Sequence, residues 1–146
     1  MDRTLLLKLW DETWDKGGPF TPWTRAVADL TPAQADWSPG PGRHSIWQNI
    51  NHVCAWREYI LTKIDGRPGP SREDMAALNF APPPAPTHEE WRKTLDRLRR
   101  THEDCRAVIA DPARDSDRLA EFLLHDSYHL GQVMLLRALQ GLPPVD

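Results

Sequence analysis

The stretch "SIWQNINHVCAWREYILTKIDG", Ser45 to Gly66, decides the fold class. Ser45 and Gln48 have the spacing of a capping box, in which each side chain satisfies the other residue's free backbone N–H at a helix start. Gly66 and the turn "GRPGP" close the segment. Between these signals Ile46, Ile50, Val53, Cys54, Leu61 and Ile64 recur at helical spacing, not at the alternation of a strand. The segment is therefore a helix of about twenty residues. His52, Trp56 and Tyr59 form a second stripe beside the aliphatic one, as if lining a cavity.

The same reasoning runs outward in both directions. Asp2 to about Lys16 reads as a helix with Leu5, Leu6, Leu9, Trp10 and Trp14 as its apolar residues, interrupted by "GGP". Thr21-Pro22 restarts a helix through Leu30, and "TPAQ" (Thr31 to Gln34) caps a short turn. Ser38 to His44 is a loop. From Arg67 to Pro86 the chain is Pro-rich, with room for one short helix near Ser71 to Leu78. So long a connection is often functional. "THEE" (Thr87 to Glu90) starts a helix to about Ala110, and the last helix runs from about Arg114 to Gln140 before Gly141. The expectation is an all-α protein, a four-helix bundle with a long Pro-rich connection between its second and third helices. Fourteen prolines agree with this only because they fall in loops and at helix starts.

Composition narrows the function. A chain of 146 residues fits one domain, 1–146. Its net charge of −3, with both signs interspersed, argues against a nucleic-acid partner, which needs a basic face. "RLRR" (Arg97 to Arg100) reads as a solvated helix face. No apolar run reaches the ~20 residues of a membrane span, and the N-terminus is too acidic for a signal peptide. Cys54 and Cys105 form no CxxC pair and read as reduced, buried thiols of a cytoplasmic protein.

The last helix carries "FLLHDSYHLGQV", Phe122 to Val133. At 100° per residue His125, His129, Gln132, Leu136 and Leu139 share one stripe. Two histidines one turn apart can share a metal ion, yet such a pair alone is more often hydrogen-bonded core. His52 changes the balance. Facing helices lie ~8–10 Å apart, so an imidazole from each side can reach a single ion. Three His with an open position is the pattern of catalytic metal sites. His44, His88 and His102 read as solvent-exposed. Glu121, one turn before His125, and Asp126, beside it, are candidates for a carboxylate that orients a ligand or accepts a proton. The reading preferred for Asp126 is an ordinary surface residue. Gly131 reads as a point of close helix packing.

These residues carry a resemblance. Over nearly its whole length the chain resembles the DinB/YfiT-like superfamily, its DinB-like branch in particular. The carrying segments are His44 to Gly66 and "HDSYHLGQVMLLRALQG", His125 to Gly141, with weaker support from Leu30 to Gly42. The resemblance implies an up-down-down-up four-helix bundle, often dimeric. It implies that His52, His125 and His129 are the three ligands of a divalent transition metal, zinc or nickel. Some members of that family are transferases or isomerases that use a low-molecular-weight thiol such as bacillithiol, mycothiol or glutathione, and others are called metal-dependent hydrolases. The expected function is thus a thiol S-transferase or hydrolase acting on a small electrophilic molecule. The alternative is a noncatalytic bundle in which the metal is structural or sensory. A homodimer is expected, with Trp10, Trp14 and Trp23 as candidate contacts and core packing as their other role.

Overall fold

The computed structural model describes residues 2–145, which are helical with no strand among them. Helix α1 (Arg3–Asp11) is capped by Asp2, whose carboxylate accepts from the N–H of Thr4 and Leu5. It continues into a π-helical turn, Glu12–Lys16. Two short helices follow, α2 (Trp23–Val27) and α3 (Pro32–Asp36). The second carries the expected capping box of Thr31 and Gln34. Helix α4 (Ile46–Ile64) begins at the Ser45–Gln48 box and is followed by Gly66 at φ 63°. Then come α5 (Arg72–Leu78), α6 (His88–Ala110) and α7 (Asp117–Leu139). The last helix starts three residues later than its periodicity predicts, because Asp111 to Asp115 fold into turns held by their own side chains. No helix of the described residues is long and apolar enough to cross a membrane.

The long helices pack α4 against α6 and α7, and α1 against α6 and α7. Their apolar faces form two clusters. One gathers Trp23, Trp47, Ile50, Trp91, Leu130 and Val133, and the other Leu6, Trp10, Ile60, Val108, Ile109 and Leu119. Trp10, Trp23, Trp47 and Trp91 are therefore core residues. Trp10 and Trp23 have no exposed surface, and Trp14 is partly buried against the first cluster. Trp10 and Trp23 thus take the core role, the other of the two expected for them. The indole N–H groups of Trp10, Trp47 and Trp91 are satisfied by His102 O, Thr94 Oγ1 and Leu30 O, which lets these rings go inside.

Between the clusters lies a fully buried ion pair. Arg57 on α4 donates through Nε and Nη2 to Asp126 Oδ2 on α7, at 3.0 and 2.5 Å. Its Nη1 donates to Leu98 O on α6 at 3.2 Å, and its guanidinium lies over the Trp10 ring. Asp126 is thus an interior anion and not a helix-surface carboxylate. Its neighbours on the sequence conceal this, since a position next to His125 on the same helix turns toward α4 and α6. Burial alone would raise the Asp126 carboxyl, but Arg57 and His125 together hold it below the ordinary carboxylate range.

His102 is the second correction. It lies on a highly charged helix, yet it is 2% exposed and stacked on Trp10 and Trp14. Burial, with the Arg57 charge adding to it, pushes its imidazole down to about 3. In an unfolded chain the ring titrates near ~6.5. Between those values the unfolded state takes up the proton and the folded state does not. Stability is therefore fully present above the unfolded value and falls as the pH drops toward the folded one. About 2 kcal/mol should be lost between roughly pH 6.5 and 5 from this ring. Urea midpoints at the two pH values measure it, and His102→Gln should show a shallower slope. Equal slopes would reject the assignment. Gly131 is a smaller correction: it is exposed, and a Cβ there would meet nothing within 4 Å.

Candidate metal centre

Three elements build the site. Helix α4 contributes Asn49 and His52, α7 contributes His125 and His129, and the segment after α5 contributes Asn79 and Phe80. That segment is latched onto α4. Gln48 Nε2 donates to Phe80 O at 3.0 Å, and Asn51 Nδ2 to Ala81 O at 2.8 Å. The Pro-rich connection is thereby part of the site wall.

One potential ligand atom from each of His52, His125 and His129 lies within 4.8 Å of the others. His52 Nε2 and His125 Nε2 are 2.9 Å apart. What stands behind each ring decides what this cluster can hold. His52 Nδ1 is 2.6 Å from Asn79 Oδ1, and His129 Nδ1 is 2.9 Å from Asn49 Oδ1. Neither amide is free to flip. Asn49 uses its Nδ2 on Ser45 O, and Asn79 Oδ1 already accepts from the indole N–H of Trp56. Both oxygens can only accept, so both imidazoles carry their proton on Nδ1. Their Nε2 lone pairs are then left for the interior of the cluster. Burial pushes His52 down to about 4, against its hydrogen bond to Asn79, and pushes His129 down to about 3 with the neighbouring His52 adding to it. Both rings are neutral near neutrality, the form that binds a metal.

His125 completes the pattern. Its Nδ1 is buried without a hydrogen-bond partner, and so is Asp126 Oδ1, 3.8 Å away. Amide oxygens thus fix the tautomers of His52 and His129, as outer partners do for metal-ligating histidines, and the Asp126 carboxylate lies near His125 without bonding to it. Converging lone pairs repel one another unless a proton or cation lies between them, and three imidazole nitrogens are a donor set that suits a divalent transition metal. The residues present fit a divalent transition metal.

A cavity of about 560 Å³ reaches the cluster, walled by Trp56, Phe80, Phe122 and Tyr128 with Glu121 at an exposed position. The structure places Glu121 in this wall but outside the histidine group. Cys54 faces away, buried beside Thr101, as its offset from His52 predicts. His44 and His88 are exposed, as expected. Asn49, Asn79, Phe80 and Arg57 were not among the sequence candidates. Asn49 had a signal, since it lies three residues before His52 on the same helix side. Asn79 and Phe80 had none. Phe80 is the one non-glycine of the described residues with positive φ, 53°. For so bulky a side chain this costs of order 1–3 kcal/mol and is kept only where the surroundings impose it. Here the ring is stacked between His44 and His52, at 3.8 and 4.0 Å between centroids.

The fold and site together define a helical protein with three inward-facing histidines at the end of an apolar cavity. The sequence profile of the DinB superfamily matches residues 22–141, and the chain belongs to that superfamily. No curated protein and no solved structure matches it.

Proposed function

We propose that this DinB-superfamily protein binds zinc or nickel through Nε2 of His52, His125 and His129 and is a metal-dependent enzyme acting on a small electrophilic molecule, as a thiol S-transferase or a hydrolase. The observation that carries the reading is the convergence of the three histidines, with amide oxygens on the outer nitrogens of His52 and His129 that leave their Nε2 lone pairs for the cluster. A divalent ion there supplies the charge that acidifies a water or thiol bound to it. Asn49, Asn79 and Asp126 hold the rings in register for it. The aromatic wall of Trp56, Phe80 and Phe122 excludes water around an apolar substrate, and Glu121 is assigned the role of proton acceptor. The proposal includes one domain over residues 1–146, an up-down-down-up arrangement of α1, α4, α6 and α7, and a cytoplasmic protein that uses a low-molecular-weight thiol.

A structural or sensory metal in a noncatalytic bundle is the rival, and the two differ in whether the ion is open to small molecules. The cavity at the cluster supports the open site. After substitution with Co²⁺, titration with a small thiol should change the visible absorption of the ion. An unchanged spectrum with the metal retained would favour the structural role.

The homodimer is proposed on another face, since Trp10 and Trp23 are interior. Leu5, 51% exposed on α1, and Leu124, 73% exposed on α7, line one apolar cleft. Leu124→Glu should shift a dimer to monomer in sedimentation at micromolar concentration. A wild-type monomer there rejects the dimer.

A further inference from the structure

A second cavity, of about 600 Å³, reaches the histidine cluster at His129. It shares Phe80, Tyr128 and His129 with the apolar one, so Phe80 and its two neighbours stand between them. The chambers differ in chemistry. The apolar chamber has Glu121 as its one acidic or basic wall residue apart from the histidines. The second chamber has Arg43 in that position, with His44, Asn49 and Gln132 beside it and no carboxylate. The Arg43 guanidinium and the Gln132 amide make no side-chain hydrogen bond or ion pair among the described residues. Arg43 is set beside the site by the loop before the Ser45 cap, where its N–H donates to Gly40 O and its carbonyl accepts from Ser38 Oγ. The next residue, His44, is pinned on the Phe80 ring.

We infer that this second chamber is a binding site for a small carboxylate, held by Arg43 with Gln132 as a further donor, next to the three-histidine cluster. A guanidinium presents paired donors that match a carboxylate in a fork. The chamber offers one guanidinium and no lysine, which suits a single negative charge better than a phosphate dianion. Its remaining wall, Leu135, Leu136 and Leu139, receives a short aliphatic chain. Glu121 disfavours the same anion in the apolar chamber, so charge sorts ligands between the two sides of Phe80. This ligand class is one for the enzyme proposed above and rests on that reading for any reaction. The binding itself does not require the metal.

The test is a calorimetric titration with butyrate and with its neutral isostere butyramide, on chelator-treated and on zinc-loaded protein. A parallel NMR titration follows the Gln132 side-chain amide. Butyrate should bind at least tenfold more tightly than butyramide in both preparations and shift the Gln132 amide. Arg43→Gln should remove that preference, and Arg43→Lys should keep part of it. Arg43 is exposed, so these variants should fold, and circular dichroism checks that. No preference for butyrate, or a preference that survives in Arg43→Gln, overturns the inference. A preference seen only with zinc and indifferent to Arg43 also overturns it, because the carboxylate is then on the ion. If the protein takes up no zinc while the Arg43-dependent preference persists, the metal reading fails and the carboxylate site stands.

Discussion

His129→Ala is expected to lose stoichiometric metal under conditions in which the wild type retains one divalent ion per chain. The variant removes one of three convergent nitrogens and leaves Asn49 Oδ1 without the ring it orients. Removing a partner behind a ligand typically costs about 10–100-fold in metal affinity, and removing the ligand itself should cost more. His52→Ala should behave alike, because its nitrogen comes from the opposite helix and no other His, Cys, Asp or Glu of the described residues joins the group. Elemental analysis after identical preparation reads the result, with circular dichroism to confirm folding. Equal, stoichiometric metal in wild type and variant would reject the assignment. Asn79→Ala is the informative intermediate: the ligands remain, but His52 is free to change tautomer, so affinity should fall within the smaller range.

Asp126→Ala is expected to destabilise the fold by about 3–5 kcal/mol, because it leaves the Arg57 guanidinium buried without its counter-charge. Both side chains are fully buried, and Asp126 Oδ2 takes two of the hydrogen bonds from Arg57. The cost belongs to the stranded charge more than to the pair. The double replacement Arg57→Met with Asp126→Leu should therefore recover most of the loss. Urea denaturation of the wild type and the two variants separates the cases. A loss under about 1 kcal/mol in Asp126→Ala would mean that water reaches Arg57, contrary to the packing found. The double variant also bears on the site, since it restores the core while removing the carboxylate beside His125 Nδ1. Its metal affinity should stay reduced after its stability has returned.

The fold class and the histidines were legible because both depend on local periodicity. The Ser45–Gln48 and Thr31–Gln34 boxes, Gly66 and Gly141 mark helix ends by interactions between residues three or four apart, and those formed where expected. His125 and His129 share a face of any helix that contains them, and His52 lies on a cavity-facing stripe for the same reason. Residue order alone does not say how a helix is rotated against its neighbours, and the misread residues depend on that rotation. Asp126 and His102 each lie among polar residues, yet each falls on the side that meets a partner helix. There Arg57 in one case and the rings of Trp10 and Trp14 in the other make burial tolerable. Trp10 could be core or contact until His102 O was in place to accept from its indole. Asn79 and Phe80 are separated from His52 by a proline-rich connection with no periodicity, so only the return of that chain onto α4 brings them to the site. The sequence by itself determined the helices and the three imidazoles. The tertiary structure decided which nitrogen of His52 and of His129 faces inward, because a tautomer is set by the oxygen behind the ring, and those oxygens come from a distant loop and a neighbouring helix.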